Sequence, residues 1–397
     1  MNGVAERASR SVYAVFALSG VMTASLLSRV PQIRDALHLS PGRLGALLLM
    51  SAVGSLVSLP LAGTVVGRIG DARTVAAMTI VAAFGLVVVG IGSRIGPVPV
   101  GVGLFLYGFG AGQWDVAQNV QGAAVEQQLG RSIMSRYHAA FSVGTVIGAL
   151  GGAAMNALHL SPRTHLVVVA IGITVGGTVG VRGFLPDADH GNTSDERRSA
   201  WAAWTERRTL LIGLFVLCSA FAEGTGNDWL GVAAIDGYHA TAAIGSFAYV
   251  AFVAAMTAGR WFGPRLLDGH GRVPVLRSGA LCSMVGVLIV VFGPSLATAL
   301  VGIALWGLGT ALGFPTGMSA AADDPVHSAS RVSAVATIGY AAFLAGLSLI
   351  GAIGNHIGVR KALTVTAVIL AIGAVTAVST DSATPIVPSK AVDPRRA

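Results

Sequence analysis

Apolar segments long enough to cross a lipid bilayer follow one another along almost the whole chain. A helix needs about 20 mostly apolar residues to span the hydrocarbon core of a membrane. The sequence contains twelve such segments, at 11–33, 42–66, 73–93, 98–126, 132–158, 164–185, 209–233, 241–263, 275–293, 296–321, 329–354 and 360–379. The first is longer than the apolar core of a signal peptide, so we interpret it as a retained helix. The pattern predicts an all-α membrane protein with twelve transmembrane helices.

The composition supports a membrane protein and argues against a nucleic-acid partner. Charged residues make up 11% of the chain, whereas a soluble domain carries about 25%. The net charge is +8, but the arginines stand singly or in pairs at the ends of apolar runs, as membrane-flanking charges do. Cys218 and Cys282 lie within apolar segments and have no metal-binding spacing, so we expect small core residues there. We expect no metal and no cofactor.

The spans divide into two sets of six. This predicts an N-terminal six-helix bundle over 1–185, a cytoplasmic linker over 186–208, a C-terminal six-helix bundle over 209–379 and a disordered cytoplasmic tail over 380–397. A cytoplasmic N-terminus places most of the 26 lysines and arginines on the cytoplasmic side, with Arg260 counted among these flanking residues. Both termini are then cytoplasmic.

A short basic turn occurs twice, about half a chain length apart. The first copy covers 63–73 and contains Arg68, and the second covers 264–273 and contains Asp268, Gly271 and Arg272. Each copy ends one apolar segment and opens the next. The chain is therefore predicted to consist of two homologous halves, and duplicated halves are typical of transporters, whose substrate site lies between them.

The fourth span carries a polar group close to its middle. Gln118 and Asn119 follow Asp115 at i+3 and i+4, so the three side chains share one helix face. An ionisable side chain at that depth is costly unless it faces a cavity or a partner. Two interpretations stay open: a site for a polar solute in which Asp115 also carries a proton, or a structural hydrogen-bond cluster between helices.

The seventh span carries a second candidate group. Glu223 lies near the midplane, Asn227 is on the same face, and Gly224 and Gly226 between them are expected to loosen the helix. Trp229 is a candidate for stacking on a sugar ring or for helix packing. His138, near the start of the fifth span, is a candidate proton relay or a helix-packing hydrogen bonder.

The repeated turns and the twelve spans resemble the major facilitator superfamily. The family form of the turn reads G-x-L-x-D-R-x-G-R. The first copy matches at Gly63, Arg68 and Gly70, and the second matches at Asp268, Gly271 and Arg272. The resemblance implies two pseudo-symmetric six-helix bundles around a central cavity and secondary active transport by alternating access.

Within that superfamily the chain is most similar to the fucose-permease-like and sugar-transporter-like branch. The residues that carry this resemblance are 114–119, 134–138 and 223–229. The G-x-x-x-G-P-x-x-G-G pattern of twelve-helix drug antiporters is incomplete, since Ala149 follows Gly148 where the proline would stand. The resemblance implies proton symport of a small, sugar-like polar solute. The alternative is a proton-coupled efflux antiporter for a metabolite or drug.

Two gates follow from the repeat. At the cytoplasmic face we expect Arg68 to pair with Glu126, and Asp268 with Arg272, when the outside is open. At the outer face Arg29 and Asp228 are separated by the repeat offset, and we expect them to pair when the outside closes. The alternative is that Arg29 extends to the headgroups and Asp228 caps a helix break.

The remaining expectations concern class and location. No protease, lipase or ATPase motif is present, so we expect no enzyme and no ATP-driven pump. We expect a monomeric, multi-pass protein of the bacterial cytoplasmic membrane, with a small-molecule substrate and the lipid bilayer as its partners and a proton gradient as its energy source.

Overall fold

The computed structural model describes residues 2–186 and 201–381, and every regular element within these ranges is helical. Most of the predicted linker and almost all of the predicted tail lie outside the described residues. The first half contains α1 (Asn2–Leu27), α2 (Val30–Ala36), α3 (Pro41–Ile69), α4 (Asp71–Gly92), α5 (Pro97–Leu129), α6 (Met134–Ala157) and α7 (Pro162–Gly180).

The second half contains more short helices than the first. Its elements are α8 (Arg207–Tyr238), α9 (Ala242–Phe262), α10 (Pro264–His270), α11 (Arg272–Phe292), α12 (Leu296–Thr310), α13 (Gly313–Ala321), α14 (Ser328–Ile357), α15 (Val359–Ala362) and α16 (Thr364–Thr376). Short 3-10 turns follow α7 and α16.

Ten helices in the described part of the chain are long and apolar enough to cross a membrane. The predicted fourth and eighth spans are helical as α5 and α9, but they are not among those ten, and in α9 only Phe247–Phe262 counts as a shorter apolar helix. The described part is therefore a multi-pass, all-α membrane protein.

Several predicted spans differ from the structure, the first, seventh and tenth among them. The first begins at Asn2, well before the predicted start at residue 11. The seventh is one unbroken helix, α8. The rings of Phe343 and Phe252 occupy the space that side chains at Gly224 and Gly226 would need. These glycines receive aromatic rings and do not loosen the helix. The break occurs in the tenth span, between α12 and α13.

The helix pairings of the first half recur in the second. The first and fifth spans pack together as α1 and α6, and the seventh and eleventh pack in the same way as α8 and α14. The pairs α3–α5 and α4–α7 correspond likewise to α9–α12 and α11–α16. The two basic turns also share one backbone geometry, with φ of 83° at Gly70 and 80° at Gly271. The repeat that the sequence indicates is thus present in the packing.

The two halves meet at one end of the molecule, which we call the basal face; α1 and α6 begin there, and α3 and α5 end there. Six hydrogen bonds between the halves lie toward this face; they join Leu59 to Ser333, Glu126 to Ser319, Gln127 to Ala322, Ser132 to Asp268, Arg136 to Trp261 and Ser142 to Arg260. The described structure is therefore closed at the basal face.

Glycines let the paired helices touch through their backbones. A Cβ at Gly144 of α6 would overlap the carbonyl of Ala17 in α1, and one at Gly108 of α5 would overlap the carbonyl of Ser51 in α3. Lipid provides no hydrophobic drive for helix association, so close van der Waals contact between small residues has to supply it.

We expect Gly144→Ala to destabilise the protein, because the added methyl group overlaps a backbone atom that a side-chain rotation cannot move. Overpacking of this kind costs about 1–3 kcal/mol. Gly151 is the matched control on the same helix, since a Cβ there meets nothing within 4 Å. Thermal unfolding in detergent should show a lower midpoint for Gly144→Ala and an unchanged or slightly higher one for Gly151→Ala. Equal midpoints would contradict the packing described above.

Candidate functional site

The polar group of the fourth span forms as predicted. Gln118 Nε2 donates to Asp115 Oδ1 at 3.1 Å, and Asn119 Nδ2 donates to the same oxygen at 3.2 Å and to the Asp115 carbonyl at 2.8 Å. Gln118 and Asn119 are almost fully buried. One carboxylate oxygen of Asp115 therefore receives two amide donors from the next helical turn.

His138 extends this group onto α6. Its Nε2 lies 3.1 Å from Asn119 Oδ1, and since the amide oxygen only accepts, the imidazole donates here. The ring packs edge-on against Phe16, with centroids 5.0 Å apart, and against Phe314 of the second half at 5.6 Å. His138 thus holds Asn119 in the orientation that serves Asp115.

The second oxygen of Asp115 has a different environment. Oδ2 is buried and has no hydrogen-bond partner in the described structure. Tyr340 of α14, in the second half, lies close enough to interact with this carboxyl group. The Asp115 carboxyl group is therefore at the boundary between the halves.

Glu223 forms an ion pair that the sequence analysis missed. Both of its carboxylate oxygens lie 2.8 Å from Arg260 Nη2, and the two side chains are only 12% and 5% exposed. The sequence analysis counted Arg260 among cytoplasmic flanking charges, and the structure corrects this: the span continues past Phe262 as α10, so Arg260 lies inside the bundle. The signal was its position within the predicted segment 241–263.

The other predicted residues of the seventh span lie apart from Asp115. Asn227 is half-buried and Asp228 is exposed. Trp229 is half-buried against Gly351 of α14. Its indole nitrogen has no hydrogen-bond partner among the described residues. Within the described part of the chain, no hydrogen bond connects these three side chains to the Asp115 group.

The outer gate is predicted for the state in which the outside closes, and the described structure, closed at the basal face, does not contain the pair of Arg29 and Asp228. Arg29 is 1% exposed, and its Nε donates to His165 Nδ1 of α7 at 2.8 Å. Since α7 packs on α1 and α4, the guanidinium lies within the first half. The alternative, that Arg29 extends to the headgroups, is wrong, because Arg29 is buried. Its Nη2 has no partner among the described residues.

The predicted pairings at the basal turns are also wrong. Arg68 is exposed. Glu126 accepts the backbone N–H groups of Ile133 and Met134 at 2.7 Å, at the start of α6, and the hydroxyl of Ser319 from the second half. A carboxylate at a helix N-terminus satisfies free backbone donors there, which explains why Glu126 turns to α6.

In the second copy, Asp268 and Arg272 also have other partners. Asp268 accepts from the backbone N–H of Ser132 in the first half at 2.8 Å. Arg272 donates to Asp323 at 2.7 Å and to Ser319 at 3.1 Å. Ser319 thus joins Glu126 to Arg272, so the basal network crosses between the halves, whereas the predicted pairs stayed within one half.

A second basal network lies within the second half, at the start of α8. Arg331 of α14 contacts both oxygens of Glu206, at 2.7 and 2.8 Å, and the Thr209 hydroxyl donates to Glu206 at 2.7 Å. Burial raises the pKa of Glu206, but the hydrogen bonds from Arg331 and Thr209 and the charge of Arg331 outweigh it. The net pKa lies below the ordinary carboxyl value.

The fold and the paired basal turns define a transporter of the major facilitator class. The Major Facilitator Superfamily model matches residues 12–341, and the chain belongs to this family. It is 30% identical to the uncharacterized transporter y4wD of Sinorhizobium fredii over 369 residues, which cover 93% of this chain and 97% of the relative.

Two solved structures share the fold. FucP, the E. coli fucose:proton symporter, superposes in its outward conformation with a TM-score of 0.82 at 16% identity, covering 94% of this chain and 98% of FucP. The proton:xylose symporter XylE gives a TM-score of 0.74 at 12% identity, covering 94% and 95% of the two chains.

The lowered pKa of Glu206 predicts how stability depends on pH. A carboxyl group whose pKa is lower in the folded state stabilises the protein above its unfolded pKa of about 4.3, and this contribution is lost as the pH falls through the folded-state value. We therefore expect Glu206→Gln to lower the melting temperature at pH 7 and to lower it by a smaller amount at a pH of about 3, below the unfolded pKa.

Glu6 provides the control for this measurement, since its pair with Arg131 is about half exposed and exposed pairs contribute little. Thermal unfolding of Glu6→Gln should match the parent protein at both pH values. A Glu206→Gln effect of the same size at low and neutral pH would contradict the assignment.

Proposed function

We propose that this protein is a proton-coupled symporter that moves a small, sugar-like polar solute across the bacterial cytoplasmic membrane. Two six-helix bundles alternate access to a central cavity, and both termini are cytoplasmic. The basal face is then the cytoplasmic face. The multi-pass fold, the family and the repeated helix pairings support this arrangement.

The Asp115 group is the observation that carries the proposal. Its carboxyl group is inside the bundle, is positioned by Gln118 and Asn119, and presents a free oxygen at the boundary with the second half. A buried carboxyl group without an opposite charge favours its neutral form. Loading and release of a proton at this oxygen would link the protonation of Asp115 in α5 to the contact between the two halves.

The hydrogen-bonding capacity of the fourth span supports a solute rich in hydroxyl groups. Besides Asp115 Oδ2, the buried amide oxygen Gln118 Oε1, on the same helix face, has no partner among the described residues. An acceptor left unsatisfied in a buried site costs about 1–3 kcal/mol. A solute that donates several hydrogen bonds recovers this cost, and FucP and XylE, named as sugar symporters, share the fold.

The closed basal face fits one half of the transport cycle. In the described structure the halves are joined through Ser319, Asp268 and Arg260. Release of solute into the cytoplasm requires these contacts to break, so they stabilise the outward-facing state in this proposal.

We expect Asp115→Asn to abolish solute accumulation driven by a proton gradient while leaving solute exchange in place, because the amide keeps the neighbouring hydrogen bonds but cannot titrate. Uptake into proteoliposomes with an imposed inward proton gradient, run against a panel of sugars and polyols, measures the first property. Counterflow without a gradient measures the second.

Asp236→Asn is the matched control, because Asp236 is an exposed aspartate of α8 and should leave both properties unchanged. Undiminished accumulation in Asp115→Asn would show that Asp115 does not carry the transported proton. If an inward proton gradient drives the parent protein to expel a compound, the protein is an antiporter and the proposed symport is wrong.

A further inference from the structure

The tenth span is broken because Pro315 stands at a position where a continuous helix needs a backbone N–H. In an α-helix the N–H of residue i+4 bonds to the carbonyl of residue i. Pro315 has no N–H, so it cannot serve the carbonyl of Ala311. α12 ends at Thr310, α13 begins at Gly313, and the Ala311 carbonyl is freed between them.

Arg260 replaces the missing donor. Its Nε donates to the Ala311 carbonyl at 3.3 Å, and the side chain is buried. α9 can approach the break this closely because residue 259 is a glycine. A Cβ at that position would overlap the Ala311 side chain. The guanidinium therefore acts as a side-chain cap for a break in the middle of a neighbouring span.

The same guanidinium also reaches the first half. Arg260 Nη1 donates to the Ser142 hydroxyl of α6 at 3.4 Å. Next to the break, Phe314 packs against His138, one turn before Ser142. The break in the tenth span and the cross-half contact thus share one side chain and one small region.

Glu223 provides the compensating charge. It holds Arg260 Nη2 with both oxygens, and both residues belong to the second half. If the halves separate, Arg260 can lose Ser142 without becoming an uncompensated buried charge, which would be strongly destabilising. The ion pair is therefore compatible with both states of the cycle, whereas the Arg260–Ser142 bond is compatible with only one.

We propose that Arg260 is a positioning residue that clamps the break of the tenth span to the first half, and that Glu223 orients Arg260 and does not carry the transported proton. The inference deepens the proposed function and rests on its alternating access. Loss of the clamp frees α13 from α6 and favours opening of the basal face.

The experiment measures the distance across the basal face by double electron–electron resonance. Spin labels are placed at Gly67→Cys and Gly269→Cys, since a Cβ at either position meets nothing within 4 Å, with Cys218 and Cys282 replaced by alanine. The protein is in nanodiscs without solute or gradient, so the result does not depend on proton coupling or on the identity of the solute.

We expect one short distance in the parent protein and a second, longer distance in Arg260→Gln. Ser142→Ala should populate the longer distance to a smaller extent, because it removes only the cross-half bond. Arg265→Gln is the matched control, an exposed arginine on the same face, and should reproduce the parent distribution. A parent-like distribution in Arg260→Gln, or an equal change in Arg265→Gln, overturns the clamp.

Pro315→Ala tests the capping role separately, because it restores an N–H for the Ala311 carbonyl. If Arg260 caps this carbonyl, the effects of Arg260→Gln and Pro315→Ala on the populations are non-additive; strictly additive effects exclude the cap. If Arg260→Gln does not fold, Arg260→Lys replaces it, since an ammonium keeps the charge for Glu223 but lacks the fork that reaches three groups.

Glu223→Gln distinguishes orientation from proton transfer. We expect slower turnover with gradient-driven accumulation preserved and a partial shift to the longer distance. Loss of accumulation with an unchanged distance distribution would assign the proton to Glu223 and overturn the second part of the proposal. If no solute of the panel is transported at all, the proposed function fails while the distance measurement still decides the clamp.

Discussion

The cost of an uncompensated charge between membrane helices governs the interior of this protein. An ionisable group at that depth is retained only with partners. Three buried ionisable groups of this protein, described below, each have a different kind of partner. Asp115 has two amide donors from its own helix. Arg260 has a carboxylate, a backbone carbonyl and a hydroxyl from three other elements. Arg29 has a neutral imidazole. Where these partners come from decides which contacts can change during a transport cycle.

The Asp115 group was predictable from the sequence because its geometry is local. Residues three and four apart on a helix are neighbours regardless of the remaining structure, and the structure confirms that Gln118 and Asn119 bond to Asp115. The repeat was predictable for a similar reason, since the turns at Gly70 and Gly271 depend on a few consecutive residues. The family and the multi-pass fold follow from apolar length and from these turns.

The contacts that join distant parts of the chain were not predictable in this way. Arg260 stands near the end of an apolar segment, where a flanking charge is ordinary; only the continuation of the helix as α10 and the position of Glu223 place it inside. Symmetry suggested partners within each turn, but Glu126 and Arg272 meet through Ser319, which lies outside both turns. The contact of Arg29 with His165 was not predictable either, because it depends on how α1 packs against α7.

The backbone contacts at glycines divide the sequence into positions with very different tolerance to substitution. At Gly144 and Gly108 any side chain collides with a neighbouring backbone. The exposed apolar residues of α7, such as Val168, Ile171 and Val175, need only be compatible with lipid. Sequence change can therefore accumulate over most of the outer surface while the distances between helices stay the same. This difference in tolerance between positions is compatible with a TM-score of 0.82 between this chain and FucP at 16% identity.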